Sequence, residues 1–190
     1  MNPYRLRVWE ILQGMASTCG VSNRVLDFGS GDGWFASRFL ESKLVRELVP
    51  VDVKRRDKVF VEPVIYSGEE LPFAAREFDL VYAVDVLHHC PDPMKQLHQL
   101  ATCSSRYLLL KDHVYFSQAG RLTLAVLDEL GNRKFGIPSL YQYQRDWEWH
   151  RYLLANGWKL NQFDYPARCH IGILGAVTNG LQYAALYERQ

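Results

Sequence analysis

A short apolar run that breaks into three glycines constrains this chain more than any other feature. Val25-Leu26-Asp27-Phe28 leads into Gly29-Ser30-Gly31-Asp32-Gly33, and a stretch with Phe35, Ala36, Phe39 and Leu40 on one face follows. The order is strand, tight turn, helix. Glycine in such a turn lets backbone approach a ligand that a Cβ would hold away. In an open α/β sheet, ligands sit outside the carboxyl ends of strands, where this turn falls. The spacing is G-x-G-x-G. A dinucleotide fingerprint would need its third glycine at Trp34, and a phosphate loop would need a Lys after the glycines. The turn therefore suits close approach to a ligand other than a pyrophosphate, although plain tight turns share its glycines.

The rest of the chain alternates in the same way. Residues 4–14 read as an amphipathic helix within an N-terminal segment, 1–20. Short apolar strands are expected at 24–28, 48–53, 59–66, 78–84 and 106–110. Pro63 confines the third of these to an edge or makes it irregular. Asp92 and Pro93 supply an N-cap and an N1 proline for a helix. A further helix is expected over 119–130, closed by Gly131 as a C′ residue. Asp146 is expected to cap a helix that runs to Asn156 and stops at Gly157. Two strands, 158–165 and 181–188, then read as an antiparallel hairpin joined by a loop rather than a helix. Near-continuous apolar strands separated by helices indicate a parallel sheet covered on both faces. Residues 132–145 lack a period and read as a long functional loop.

Composition removes other classes. The chain has 190 residues, 48% apolar and 23% charged, which is ordinary for one soluble globular domain. The net charge of +1 gives no electrostatic reason to expect nucleic acid or an anionic membrane as partner. No apolar run reaches the ~18 residues of a membrane span. Cys19, Cys90, Cys103 and Cys169 form no C-x-x-C pair, so reduced thiols in a cytoplasmic protein are expected rather than a zinc or disulfide framework.

Asp52, in Val49-Pro50-Val51-Asp52-Val53, falls at the carboxyl edge beside the glycine turn. A carboxylate there can accept hydrogen bonds from both hydroxyls of a ribose. The competing role is a solvated acid paired with Lys54 or Arg55.

With these residues the chain resembles the class I S-adenosylmethionine-dependent methyltransferases, in particular the small-molecule group related to the quinone-methylating enzymes. The likeness runs through Val25–Phe35, Val51–Val53, Ser67-Gly68-Glu69-Glu70-Leu71-Pro72-Phe73, Phe78-Asp79-Leu80-Val81, Leu87-His88-His89, Pro91-Asp92-Pro93 and Tyr107–Lys111. Lys111-Asp112-His113, Asp128–Asn132 and Tyr141-Gln142-Tyr143 with Trp147 are distantly similar to a subgroup of these enzymes. The resemblance implies one Rossmann-like α/β domain over 1–190, with a seven-stranded, mostly parallel sheet, a reversed last strand and helices on both faces. It implies S-adenosyl-L-methionine as cofactor and S-adenosyl-L-homocysteine as product. Gly29 and Gly31 would line the methionyl and ribose parts, with Asp27 bracing the turn. Asp52 would hold the ribose hydroxyls and Val53 would pack on adenine. Ser67 stands where the family usually has an Asp that accepts from the adenine amino group; its hydroxyl can still accept, with the Gly68 and Glu69 amides beside it. The backbone at Val84 would meet the amino-acid end.

Methyl transfer from a sulfonium needs alignment, and a base only where the acceptor is protonated. His88, His89 and His113 follow the fourth and fifth strands, where the acceptor must sit, and are the candidate bases; each could instead be a structural histidine. His113 is expected just beyond its strand, facing the acceptor. A cation held by Asp85, Asp112 and Asn132 is the bolder reading, and no metal site is expected. Phe135, Tyr141 and Tyr143 would wall the pocket of a flat or apolar small molecule. Pocket closure would come from the N-terminal helix, the 132–145 loop or a second subunit. The alternatives are a methyltransferase acting on RNA or protein, and a non-catalytic cofactor-binding subunit.

Overall fold

A computed structural model describes residues 2–132 and 140–190. Helix α1 (Pro3–Ser17) starts at Asn2, whose side chain accepts from the Tyr4 amide. Then come β1 (Ser22–Phe28), α2 (Trp34–Ser42), β2 (Val45–Asp52), β3 (Val64–Ile65) and β4 (Phe78–Val84). A 3-10 turn (Leu87–His89) leads to α3 (Pro93–Cys103), then β5 (Ser104–Tyr115) and α4 (Gln118–Asn132). The chain closes with β6 (Gln144–Arg145), α5 (Glu148–Ala155), β7 (Trp158–Asp164), α6 (Gly172–Thr178) and β8 (Gln182–Arg189).

The main sheet has the order β3-β2-β1-β4-β5-β8-β7, and β6 pairs β5 off this path. Strands β3, β2, β1, β4 and β5 are parallel, and β8 runs antiparallel to both its neighbours. The seven-stranded sheet with a reversed last strand is thus observed.

Period-two alternation sorts the core into two layers. Leu26, Phe28, Val81, Ala83, Leu108, Leu110, Ala185 and Tyr187 pack with α3 and α5. Val25, Leu80, Tyr82, Tyr107, Leu109, Ala184 and Leu186 pack with Val8, Leu12 and Met15 of α1 and Phe39 of α2. The central strands β1, β4, β5 and β8 are largely apolar on both faces because each face carries helices.

Several expected boundaries are corrected. The strand expected over 59–66 shrinks to Val64–Ile65 and lies at the sheet edge, as Pro63 requires. The strand expected to stop at Leu110 runs on to Tyr115, so Lys111, Asp112 and His113 lie within β5 rather than beyond it. Gly131 falls inside α4 and does not end it. Asp146 does not cap α5: Trp147 holds the N-cap position in the left-handed region, and the Asp146 carboxylate pairs with Arg145 at 3.1 Å. The β7–β8 connection contains α6 and a 3-10 turn, a helix too short to show a period. Asn132 still belongs to α4 and β6 occupies 144–145, which narrows the expected 132–145 loop.

Candidate functional site

The three glycines of the β1–α2 turn all have positive φ, yet they do different work. A Cβ on Gly29 would fall 2.1 Å from the Val86 side chain, and one on Gly33 would fall 2.8 Å from the Val61 carbonyl oxygen. Those two glycines serve close internal packing. At Gly31 a Cβ would meet nothing within 4 Å, so this is the position open to a ligand. Val51 O accepts from the amides of Gly29 (2.9 Å) and Ser30 (3.1 Å).

Asp52 ends β2 beside this opening and is 7% exposed. Its Oδ2 accepts from the Gly31 amide at 2.8 Å and its Oδ1 from the Lys54 amide at 3.2 Å. These backbone donors, not the basic side chains, aim the carboxylate; Arg55 is engaged by Glu62. Asp27 lies beneath the turn at 3% exposure. Burial pushes its carboxyl up to about 7; Tyr82 opposes the shift and the neighbouring Asp52 and Asp32 add to it. Val53 is exposed at the carboxyl edge, and its Cγ1 would stand 3.2 Å from a Cβ on Gly68. The Ser67 hydroxyl accepts from the Glu69 amide at 3.3 Å. Gln96 and Gln99 of α3 donate to the Gly68 and Glu69 carbonyls, at 2.9 and 2.7 Å, and hold this loop against the sheet.

Beyond Val84, at the end of β4, the extension of β5 faces two ways. Lys111 lies on the α1 face and is fully buried. Its Nζ donates to Asp85 Oδ1 (2.5 Å), Tyr4 OH (2.5 Å) and Gln182 Oε1 (2.6 Å), so all three ammonium donors are used. The Tyr4 hydroxyl in turn donates to Asp85 Oδ2 at 2.6 Å, and Arg5 pairs with Asp32 at 2.7 Å. Helix α1 is therefore tied across both the β4 end and the glycine turn. Burial opposes ionisation of Asp85, but Lys111 outweighs it and keeps its carboxyl below the usual range.

Asp112 lies on the opposite face, 1% exposed. Its Oδ2 accepts from the Leu87 amide (3.1 Å) and its Oδ1 from the His113 amide (2.8 Å). His88 Nδ1 lies 2.5 Å from the same Oδ1. Burial disfavours the charged His88 ring, but the Asp112 and Asp128 carboxylates outweigh it and raise the ring to about 10. His113 Nδ1 is 3.2 Å from Asp112 Oδ1 and 3.5 Å from Asp85 Oδ1, so it bridges the two sites. Burial pulls His113 below its ordinary value. His89 Nε2 lies 3.4 Å from Asp128 Oδ1.

The structure thus brings all three candidate histidines together. Two expected readings are corrected. His113 does not project from a loop; it sits in β5, paired with Gln182 of β8. Tyr143 is not an exposed wall; it is 5% exposed and donates its hydroxyl to Asp128 Oδ2 at 3.1 Å. Tyr141 is partly exposed and donates to Glu129 Oε1 at 2.5 Å. Phe135 and the Asn132 side chain lie outside the described residues. The Asp85–Asp112 cation reading fails, because Lys111 and Tyr4 occupy Asp85 and His88 occupies Asp112. Tyr4, Arg5 and Gln182 join this arrangement although no local pattern marked them, and Asp128, marked only by the distant likeness over 128–132, joins it too. A groove of about 370 Å³ lies along α3 between Leu71, Lys95, His98 and Thr102, and neither the glycine turn nor His88, His89 and His113 line it.

The arrangement has relatives. A family model described as a methyltransferase domain matches residues 3–166. No curated protein matches the chain significantly. Among solved structures, an S-adenosylmethionine-dependent methyltransferase from Mesorhizobium loti superposes with a TM-score of 0.68 at 14% identity, covering 96% of this chain and 98% of that one. One from Aquifex aeolicus gives 0.62 at 14%, covering 100% and 94%. The N-methyltransferase NodS from Bradyrhizobium japonicum gives 0.65 at 12%, covering 99% and 97%. At these identities the likeness is one of fold. No described helix is long and apolar enough to cross a membrane.

Proposed function

The chain belongs to the methyltransferase-domain family, whose cofactor is S-adenosyl-L-methionine, and from that premise we propose that it methylates a small-molecule acceptor on oxygen, nitrogen or carbon. The observation that carries this reading is adjacency. The open Gly31 position and the aimed Asp52 carboxylate lie at the ends of β1 and β2, and the His113–Asp85–Asp112 group lies at the neighbouring ends of β4 and β5.

When bound, the cofactor supplies an electrophilic methyl group on a sulfonium sulfur. Asp52 would accept from the ribose hydroxyls, Val53 would cover the adenine, and the Gly68 and Glu69 amides with Ser67 would flank its edge. Gly29, Gly31 and the backbone at Val84 would border the remainder, above Asp27. On the acceptor side, Asp85 and Asp112 can only accept, so His113 directs an Nδ1 proton toward them and keeps Nε2 to take the acceptor's proton or hydrogen bond. His88 and His89 back this group, and Tyr141 and Tyr143 flank it. Tyr4 stacks on His170 with centroids 4.7 Å apart.

Calorimetry with S-adenosylhomocysteine and a screen of acceptors with a labelled methyl donor test the reading. His113→Gln should lower turnover by about 10²- to 10⁴-fold with cofactor affinity unchanged. Loss of cofactor affinity in that variant would reassign His113 to cofactor binding or to structure.

A further inference from the structure

Three donors converge between the 3-10 turn after β4 and helix α4. His88 Nε2 lies 3.6 Å from Asp128 Oδ1, and His89 Nε2 lies 3.4 Å from the same oxygen. One ligand atom from each of the three residues lies within 4.8 Å of the other two. The side chains are 2%, 16% and 7% exposed for His88, His89 and Asp128. The separations can be set against those that different occupants require. Two ligands of one tetrahedral zinc ion, each about 2.0–2.1 Å from the metal, stand about 3.3–3.4 Å apart. Adjacent ligands of an octahedral magnesium-type ion stand about 3.0 Å apart. A direct N–H···O bond spans about 2.7–3.2 Å. The His89–Asp128 separation of 3.4 Å fits the tetrahedral case, and the His88–Asp128 separation of 3.6 Å is slightly wider and also within reach of a direct ion pair.

The surroundings point the same way. A metal-ligating histidine donates its second ring N–H to a carboxylate or carbonyl, which fixes the tautomer that presents the other nitrogen. His88 does this: Nδ1 meets Asp112 Oδ1 at 2.5 Å while Nε2 faces Asp128. Asp112 is itself held by the Leu87 and His113 amides. Ligating carboxylates are likewise hydrogen-bonded, and Asp128 Oδ2 accepts from Tyr143. The neighbouring triple of His88, Asp112 and His113 is a poorer candidate, because the 2.5 Å contact between His88 and Asp112 leaves no room for an ion between them.

We infer that His88, His89 and Asp128 form a binding site for a zinc-type divalent cation, with Asp112 and Tyr143 as its positioning residues. This donor set reverses the expectation that the chain holds no metal, and it differs from the Asp85, Asp112 and Asn132 set considered from the sequence. Three protein ligands leave one tetrahedral position for water or for an oxygen or nitrogen donor. Use of that position by the methyl acceptor rests on the methyl-transfer reading; binding of the ion does not. The competing occupant is a proton, with His88 an imidazolium between two carboxylates.

The test is metal binding by the full chain. Protein stripped with a chelator is titrated with Zn²⁺ against a chromophoric competitor, and Co²⁺ is substituted for its visible spectrum. One equivalent of Zn²⁺ with a Kd of about 1 µM or below is expected, together with the intense absorption of four-coordinate Co²⁺. His89→Gln should weaken binding by about a hundredfold or more, and Asp128→Asn likewise. Asp112→Asn should weaken it by about 10- to 100-fold, the usual effect of an outer partner. His98→Ala should leave it unchanged, since His98 lies on α3 bonded to Tyr152. Circular dichroism and S-adenosylhomocysteine affinity check each variant's fold, and His89→Gln, the least buried change, decides the matter where Asp128→Asn fails to fold. Substoichiometric binding by the wild type, or equal affinity in folded His89→Gln, overturns the inference and leaves the imidazolium. Zinc binding without cofactor binding would overturn the methyl-transfer reading instead.

Discussion

Asp27→Asn should make this protein more stable at neutral pH, and the gain should vanish in acid. Asp27 is 3% exposed beneath the glycine turn, and its carboxyl is raised from an ordinary 3.8 to about 7, mainly by burial. Below 3.8 both folded and unfolded chains hold the proton, and the residue costs nothing electrostatically. Between 3.8 and about 7 the unfolded chain releases the proton while the folded chain keeps it, so stability falls as pH rises. Above about 7 the cost is constant at about 4 kcal/mol, from 1.36 kcal/mol for each tenfold ratio of proton affinities. Asparagine has nearly the same shape and no charge to bury. Its advantage over the wild type should therefore grow by about 3 kcal/mol between pH 5 and pH 8. For a chain of this length that corresponds to a relative rise in Tm of about 10 °C. Urea unfolding of both proteins at several pH values, with calorimetry alongside, reads the difference directly. A variant that is equally stabilised at pH 5 and pH 8, or less stable than wild type at pH 8, would refute the reasoning.

Asp52→Ala should weaken S-adenosylhomocysteine binding about ten- to hundredfold, a loss of ~1.5–3 kcal/mol from a charge-assisted contact; unchanged affinity in isothermal titration would remove Asp52 from the cofactor site. Lys111→Met leaves Asp85 buried without its cation and should cost about 3–5 kcal/mol. Adding Asp85→Asn should restore part of that loss, and hydrogen exchange in α1 should rise in the single variant because Tyr4 loses its Lys111 partner; an additive double variant would contradict the pairing. Gly33→Ala should cost at least about 2 kcal/mol in denaturant unfolding, from a left-handed backbone at φ 73° and a clash with the Val61 backbone. Gly31→Ala meets no neighbour but is strained by the left-handed backbone at φ 61°; it should cost about 1 kcal/mol, less than Gly33→Ala, with its further damage in cofactor affinity.

The parts of the site that were legible in the sequence are local. Strand β4 falls at Phe78–Val84 as its apolar run indicates, and Asp92 caps α3 by accepting from the Lys95 amide. Both depend on residues within a few positions of each other. The end of β5 was not legible. Lys111-Asp112-His113 looks like the polar end of a strand, since buried charges are rare unless paired. Their partners, Tyr4, Asp85, Gln182 and His88, come from 24 to 107 residues away. Tyr143 misled in the opposite sense: an aromatic in an aperiodic stretch looked exposed, and its burial depends on Asp128 across the fold.

The sequence by itself determined the alternation of strands and helices, the glycine turn after β1 and the acid that ends β2, because period, turn chemistry and strand-end position are properties of neighbouring residues. Tertiary structure decided which polar groups could enter the interior. Strand alternation sends Lys111 toward α1 and Asp112 toward the His88 turn, and each is tolerated only because a distant segment supplies its counter-charge. It also decided which glycine is left open. The three share a left-handed backbone, and only the packing of Val86 and Val61 against two of them leaves Gly31 as the open one.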